Sequence, residues 1–361
     1  MSSSGPHVHL RWRTQSEQLP RHANYTCHHV AGALASSRLA AYAAGAWVNE
    51  TNSILWHPPS AVVSAADAVS DCCIRGNRER LWIHVIGEST HRFFYAALLT
   101  HFNGTVRMPG FPLHWLPNED RCSFLSHGWS SDSRDPCFQA WRGVCNGNRW
   151  KDGRPECVID AESSDWRLTF EWYQYYNGVR DVNHSFHLPS LARTASAWPS
   201  LLVWGTGVGE VVRCGVAYET CVRQSMELAS ALFAAYANGT SGDEQQSGRS
   251  NSASRIVIMD TGGCLWQQQH YWGRVARYQS PVQERWLHGL NRELEELANR
   301  TSGALFLKRS TSMESAPKLP ESPCYQYHPY GAQSEVHVQM LLNAVACGSG
   351  PINGEGCCPR G

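Results

Sequence analysis

The middle of the chain alternates between short apolar runs and amphipathic segments. Apolar runs with the length of a strand lie at 81–86, 167–173, 201–204, 255–259 and 304–307. Segments whose apolar residues recur at helical spacing lie at 90–101, 217–236, 282–298 and 335–346. Because strands alternate with helices, we expect parallel pairing through right-handed crossovers. The pattern therefore predicts an α/β fold: a three-layer, doubly wound, mostly parallel sheet.

The same pattern predicts a single domain over residues 26–348. Within it, residues 110–165 are rich in Gly, Pro, Trp and Cys, which predicts an irregular insertion tied by disulfides. Residues 241–254 are polar and of low complexity, which predicts a flexible surface loop. We expect residues 1–25 to be disordered or processed, and residues 349–361 to form an irregular tail.

A serine stands where the first predicted strand passes into the first predicted helix. Such a position exposes the Ser89 hydroxyl at the top of the sheet, and the N–H groups of the helix N-terminus face developing negative charge. Gly87 allows a tight turn just before it. Serine is also a preferred helix N-cap, so a nucleophile and a simple cap are both open interpretations.

Other polar or small residues follow the later strands and are expected at the same edge, where ligands bind in such folds. Gly205 and Gly207 could present an N–H group to an oxyanion, and Asp260 and Thr261 end the next strand. A base for the serine must come from a loop at this edge, and His328 is the best-placed histidine. Two others rank below it: His337, inside the terminal helix, and His184, which precedes the 201–204 strand.

These motifs, in this order, resemble the PC-esterase branch of the SGNH (GDSL-type) hydrolases, which includes trichome-birefringence-like polysaccharide O-acetyltransferases of plants. The G-D-S-x-x-R block of that branch is similar to residues 87–92, and its G-x-W element after a cysteine is similar to residues 45–47 after Cys27. Its closing block places a histidine before a terminal helix, as His328 stands here. The resemblance covers about residues 25–347, most of that span in architecture only.

The resemblance implies an SGNH-type fold and a serine-dependent acyl transfer that uses no cofactor and no metal. Ser89 would be the nucleophile that takes the acyl group, and His328 its general base. The N–H of Ser89, with that of Gly205 or Gly207, would form the oxyanion hole. Arg92, one helical turn beyond the nucleophile, would support the loop or the oxyanion.

Two residues depart from the pattern of that branch. Glu88 stands where it has Asp, which keeps the carboxylate and lengthens it by one methylene. Its D-x-x-H motif needs an acid three residues before His328, and that residue is Tyr325. Orientation of the imidazole would then fall to a backbone carbonyl or to a carboxylate such as Glu321 or Glu335.

Two hypotheses for function follow. The first is an esterase or O-acetyltransferase acting on a carbohydrate or glycoconjugate through an acyl-Ser89 intermediate, with an acyl donor where the group is transferred. The second is an inactive, secreted glycan-binding or structural glycoprotein that keeps the fold, which Tyr325 favours. Seven aromatic residues could stack on sugar rings or simply pack: Trp115, Trp129, Trp141, Trp150, Tyr173, Tyr175 and Tyr176.

Composition narrows the class of partner. The chain of 361 residues carries 31 Lys plus Arg and 31 Asp plus Glu, so its formal net charge is zero. A nucleic-acid partner is disfavoured because affinity for the phosphate backbone comes from basic residues. No stretch approaches about 18 consecutive apolar residues, so no transmembrane span is expected in this sequence. Neither H-E-x-x-H nor paired C-x-x-C spacing is present, so no metal site is expected.

Cysteines and glycan acceptor sites indicate the secretory pathway. The even count of 14 cysteines predicts disulfides and hence an oxidising compartment. Six N-x-S/T sequons occur where chance would give about two. They lie at Asn24, Asn49, Asn103, Asn183, Asn238 and Asn299. The N-terminus has no apolar segment of a signal peptide, so we expect either that a leader or membrane anchor is missing from this sequence or that its start is misassigned. We predict the Golgi lumen or the extracellular space.

Overall fold

The structure is a computed structural model in which six longer stretches of the chain are described. These are residues 80–102, 158–173, 186–206, 217–247, 255–261 and 281–310. Shorter described pieces are 9–10, 46–50, 53–57, 150–151, 154–155, 182 and 337–342 without 339. Together they contain all five predicted strands and the four predicted helical segments, the last of these in part.

The strands, numbered along the chain, are β1 (His9–Leu10), β2 (Ala46–Glu50), β3 (Ser53–His57), β4 (Leu81–Gly87), β5 (Trp150–Lys151), β6 (Arg154–Pro155), β7 (Val158–Glu162), β8 (Trp166–Trp172), β9 (Leu201–Trp204), β10 (Arg255–Met259) and β11 (Ala304–Leu307). The longer helices are α1 (Ser89–His101), α2 (Leu188–Ala195), α3 (Tyr218–Ser247) and α4 (Pro281–Arg300). Residues 337–338 and 340–342 are also helical.

Six strands form the main sheet, in the spatial order β11, β10, β9, β4, β8, β7. All neighbouring pairs are parallel except β7 with β8. The prediction of an α/β fold with a mostly parallel sheet is therefore confirmed. If the parallel strands are numbered along the chain, their order is 2-1-3-4-5, which reverses direction between β4 and β9. In open α/β sheets the ligand crevice lies outside the carboxyl ends of the strands at such a switch point.

Three segments for which the sequence predicts irregular or disordered chain contain regular structure. Residues 158–162, at the end of the predicted insertion 110–165, form β7 and pair with β8 as an edge of the main sheet. The helix α3 continues to Ser247, through half of the predicted loop 241–254, because residues 244–246 (EQQ) are good helix formers. Within the predicted N-terminal segment, His9–Leu10 pair with β3. The predicted insertion also contains β5 and β6, which pair with each other, and residues 163–165 between β7 and β8. The remaining residues of the three segments lie outside the described part of the chain.

Helices cover both faces of the sheet. On one face, Trp82, Ile86 and Trp204 join apolar residues of α3 and α4 in one buried cluster. On the other face lies α1, where the Tyr95 hydroxyl donates to the Leu168 carbonyl at 3.1 Å. The sheet is therefore buried on both faces, as parallel sheets usually are.

A polar network is buried inside this apolar sheet. The imidazole of His84 on β4 lies 2.6 Å from the Thr169 hydroxyl and 3.3 Å from the Glu171 carboxylate, both on β8. Glu171 also accepts hydrogen bonds from the backbone N–H groups of His187 and Leu188, at the start of α2. One carboxylate thus joins two strands to the N-terminus of a helix, where N–H groups need acceptors.

We predict that Glu171→Gln lowers the free energy of unfolding by about 1–3 kcal/mol, because an amide in place of one carboxylate oxygen leaves a buried N–H without an acceptor. The matched control is Glu162→Gln, which removes only an exposed ion pair with Arg80 and should cost less than about 1 kcal/mol. Urea denaturation of both variants measures the two costs. Equal losses would contradict the role given to Glu171.

Candidate functional site

The serine predicted as a nucleophile stands at the switch point of the sheet. The strand β4 ends at Gly87, Glu88 is buried, and α1 begins at Ser89. The backbone position predicted for Ser89, between a strand and a helix, is therefore confirmed. The side chains of Ser89 and Arg92 lie outside the described part of the structure.

A buried histidine fills the space between the two strands that flank the switch point. A Cβ on Gly87 or on Gly205 would overlap the imidazole of His91, so both strand ends need glycine for that ring to fit. The N–H of Gly205 donates to the Ile86 carbonyl at 3.1 Å. The prediction that Gly205 offers its N–H to an oxyanion is therefore wrong, because the sheet already uses that donor. Gly207, the alternative donor, lies outside the described residues.

A buried arginine joins the beginning of α1 to the end of β11. Arg309 is only 1% exposed, and its Nη2 donates to the Thr90 hydroxyl at 3.0 Å and lies 3.5 Å from His91 Nε2. Its Nε donates to the backbone carbonyl of Asp260. The guanidinium thus contacts the two residues that directly follow Ser89.

The two residues that follow β10 contact neighbouring elements. The Asp260 carboxylate accepts the backbone N–H of Ser310 at 3.2 Å and lies 3.9 Å from Arg309 Nε. Burial raises the pKa of the Asp260 carboxyl, while Arg309 and the hydrogen bonds from Ser310 oppose the rise. Thr261 donates through its N–H and its hydroxyl to Asn291 Oδ1 on α4, at 3.0 and 2.6 Å. Asp260 thus contacts the chain after β11, and Thr261 contacts α4; their predicted role at an oxyanion site stays a prediction.

Two histidines close to Arg309 are held neutral. Burial lowers the pKa of His91 well below its usual value, and the positive charge of Arg309 lowers it further. The same two causes, in the same order, lower the pKa of His337 to about 3, although a hydrogen bond to the Arg309 backbone opposes them. Both rings are fully buried. Their burial makes either one a poor general base for a substrate that arrives from solvent.

The structure brings together part of the predicted site. Ser89, Glu88, Gly205, Asp260 and Thr261 all lie at the carboxyl ends of adjacent parallel strands, as the sequence predicts. His328, Tyr325, Glu321 and Glu335 lie outside the described residues, as does His184.

Three residues of this edge were not predicted from the sequence: Thr90, His91 and Arg309. The sequence offered a signal for Arg309, because it is a charged residue two positions after the apolar run 304–307, at the edge where ligands are expected.

One predicted sugar-stacking residue belongs to the core. The ring of Tyr173 is buried against Phe186 and Trp204, and its hydroxyl lies 3.2 Å from Ser225 Oγ. That interpretation is wrong for Tyr173 because neither ring face is open to a ligand. The other six aromatic candidates have no described side chains.

Two observations bear on the predicted compartment. Cys221, buried on α3, is disulfide-bonded; its partner and the other cysteines lie outside the described residues. Two sequon asparagines are described, Asn238 on α3 and Asn299 on α4, and both are exposed. Asn24, Asn103 and Asn183 lie outside the described residues, and of Asn49 only the backbone is described, in β2.

We predict that Gly205→Ala lowers the free energy of unfolding by about 1–3 kcal/mol, because the new methyl group overlaps His91. In the double variant Gly205→Ala/His91→Ala the methyl group enters the vacated space, so the two costs should be non-additive by about 1 kcal/mol or more. The control is Gly239→Ala, which overlaps Trp198 instead and should add independently to His91→Ala. Additive costs in both cycles would contradict the packing described.

We predict that His337 makes the protein sensitive to acid. Its pKa is about 3 in the folded state against about 6.5 unfolded, so the unfolded state binds the proton first as the pH falls. The free energy of unfolding should therefore decrease between about pH 6.5 and pH 4, by at most about 1.4 kcal/mol per pH unit for this group. Lowered pKa values of His91 and His101 act in the same direction, and the raised pKa of Asp260 acts against them.

Replacement by His337→Gln should flatten that decrease, measured by urea denaturation at several pH values. His288→Gln, at an exposed position of α4, serves as the control and should follow the wild type. Parallel profiles for wild type and His337→Gln would disprove the assignment.

Comparison of the chain with models of protein families, with curated proteins and with solved structures gives no match. Within the described residues, no helix combines the length and the apolar character needed to cross a membrane. A hypothesis for function therefore depends on the chemistry of the residues that this chain places at the switch point.

Proposed function

We propose that the protein is a serine-dependent acyl-transfer enzyme of the SGNH type, similar to the PC-esterase branch, that acts on a glycan. The observation that carries the proposal is the position of Ser89, the first residue of α1 at the switch point between β4 and β9. The G-E-S-T-H-R block around it supports the assignment to that branch. The substrate is an acyl ester of a carbohydrate or a glycoconjugate.

The first half of the reaction forms an acyl-enzyme. The Ser89 Oγ attacks the acyl carbonyl carbon, the Oγ–carbon bond forms, and His328 takes the hydroxyl proton. The carbonyl electron pair moves to oxygen, giving a tetrahedral oxyanion. When this collapses, the carbon–oxygen bond to the leaving group breaks, and His328 returns the proton to the departing oxygen.

The second half transfers the acyl group onward. A water molecule or a sugar hydroxyl attacks the acyl-Ser89 carbon while His328 takes its proton. Collapse of the second oxyanion breaks the bond to Ser89 Oγ, which recovers its proton from His328. Attack by water makes the protein an esterase, and attack by a sugar hydroxyl makes it an O-acetyltransferase.

The N-terminus of α1 supports the stabilisation of both oxyanions. The N–H of His91 already donates to the Glu88 carbonyl at 3.0 Å, so the proposed donors are the N–H groups of Ser89 and Thr90, at the positive end of the helix dipole. The buried cation of Arg309 adds positive charge next to Thr90. Removing one oxyanion donor typically lowers the rate by about 10²–10³. Each N–H group of this helix end that contacts the oxyanion would therefore contribute a factor of about that size to the rate.

A glycan substrate and a secretory compartment are parts of the same proposal. They are supported by the resemblance, by the excess of N-glycan acceptor sites and by the 14 cysteines. The disulfide at Cys221 and the exposed positions of Asn238 and Asn299 agree with an oxidising compartment. No cofactor is part of the proposal.

A second candidate is a secreted glycan-binding or structural glycoprotein that retains the fold without turnover. The observation that favours it is Tyr325, which stands where the D-x-x-H motif needs an acid. Loss of the orienting acid lowers kcat by about 10⁴ in a serine protease. A backbone carbonyl or another carboxylate must orient His328 if the first candidate is correct.

We predict that Ser89→Ala abolishes reaction with a fluorophosphonate probe and lowers kcat/KM for p-nitrophenyl acetate by about 10³ or more, because the acyl-accepting hydroxyl is gone. His328→Ala should cause a loss of similar size. Labelling is measured by intact-protein mass, and turnover by release of p-nitrophenol.

The matched control is Ser190→Ala, which removes an exposed serine from the first turn of α2 and should react like the wild type. Equal labelling of wild type and Ser89→Ala would end the enzyme hypothesis. Binding of acetylated glycans without any turnover would favour the second candidate.

A further inference from the structure

We propose that Arg309 is a positioning residue for Ser89: its buried guanidinium holds Thr90 and His91, and thereby fixes the first turn of α1 that carries the nucleophile. This inference rests on the proposed function. It assigns a role to a residue at the end of β11, 220 positions away in the chain, which sequence analysis did not single out.

The contacts lie on the two residues next to the nucleophile. Arg309 Nη2 donates to the Thr90 hydroxyl at 3.0 Å and lies 3.5 Å from His91 Nε2. The same hydroxyl lies 3.2 Å from His91 Nδ1. Because Gly87 and Gly205 confine the His91 ring, the first turn of α1 is held from the sheet side and from the Arg309 side together.

Arg309 is itself anchored, so it can act as a fixed support. Its Nε donates to the Asp260 carbonyl, and the Asp260 carboxylate accepts the N–H groups of Arg309 and Ser310. His337 adds a hydrogen bond to the Arg309 backbone. The guanidinium therefore links the ends of β10 and β11 to the start of α1, across the strand ends that border the switch point.

The charge of Arg309 has the sign that the reaction needs. The side chain is 1% exposed, and its charge is balanced in part by Asp260 at 3.9 Å. Both facing histidines are held neutral, so the positive charge that contacts Thr90 is that of Arg309. Two buried acidic residues stand close by: Asp260, which faces Arg309, and Glu88, two positions before Thr90 in the chain. A buried cation beside a helix N-terminus adds to the helix dipole in favouring negative charge there.

A lysine at position 309 distinguishes a positioning role of the side chain from a role of its positive charge alone. Arg309→Lys keeps the positive charge but loses the planar fork that reaches Asp260 and Thr90 at once. We expect kcat for p-nitrophenyl acetate to fall about 10- to 100-fold while KM stays within about twofold, because a misplaced nucleophile slows chemistry more than binding. Thr90→Val, which removes the hydroxyl and keeps the shape, should lower kcat by about 3- to 10-fold.

The matched control is Arg167→Lys. Arg167 also pairs with a carboxylate, Asp160, and lies 4.5 Å over the ring of Trp82, but it sits on β8 away from the first turn of α1. This control should change the melting temperature without changing kcat. If Arg309→Lys and Thr90→Val both fold and retain wild-type kcat, the proposal is overturned.

Hydrogen–deuterium exchange tests the same claim independently of turnover. In Arg309→Lys, the amides of residues 91–93 should exchange at least about tenfold faster, while peptides from α3 and α4 keep their wild-type rates. Unchanged exchange at 91–93, or faster exchange throughout the sheet, overturns the positioning role. If the wild type shows no Ser89-dependent reaction, the proposed function fails, and the exchange result still decides whether Arg309 holds this turn. Should Arg309→Lys fail to fold, Thr90→Val carries both measurements.

Discussion

One buried cation ties together the carboxyl edge of the sheet. Arg309 is desolvated, and a charge without water must be compensated by polar partners. The polar partners of Arg309 are the carbonyl and the carboxylate of Asp260 and the hydroxyl of Thr90. Removal of any one partner leaves part of a charge buried without compensation. The geometry of two strand ends, those of β10 and β11, and of the start of α1 therefore depends on this interaction.

The packing of His91 sets the second constraint on the same edge. Its ring occupies the volume that side chains at Gly87 and Gly205 would need, so the switch point of the sheet is filled by a neutral imidazole. The backbone of α1 begins at Ser89, two residues before this ring. In the proposed function, close packing at this point would help to keep the first turn of α1 in one place, as catalysis by preorganised groups requires.

Apolar runs made most of the sheet predictable, since β4, β9, β10 and β11 contain few polar residues. Their described side chains are buried, except for the half-buried Ala304 and Leu305 at the start of β11. The strand β7 was missed because its alternating, partly polar pattern suits a sheet edge. The helix α2 was missed because it is short and carries proline in its first turn. In the site, the strand-to-helix junction at Ser89 could be predicted from the local order of residues. Arg309 could not be predicted in this way, because its side chain contacts residues that are distant in the sequence. The role of Gly205 was misassigned because a glycine pattern cannot distinguish a free N–H from space for a neighbouring ring.

The most direct test is the crystal structure of the protein after reaction with an alkyl fluorophosphonate. We predict phosphorus bonded to Ser89 Oγ, a phosphoryl oxygen against the N–H groups of the first turn of α1, and a His328 ring nitrogen within about 3.2 Å of the Ser89 oxygen. Phosphorus on another residue, an unmodified Ser89, or His328 on the far side of the molecule would contradict the proposed chemistry.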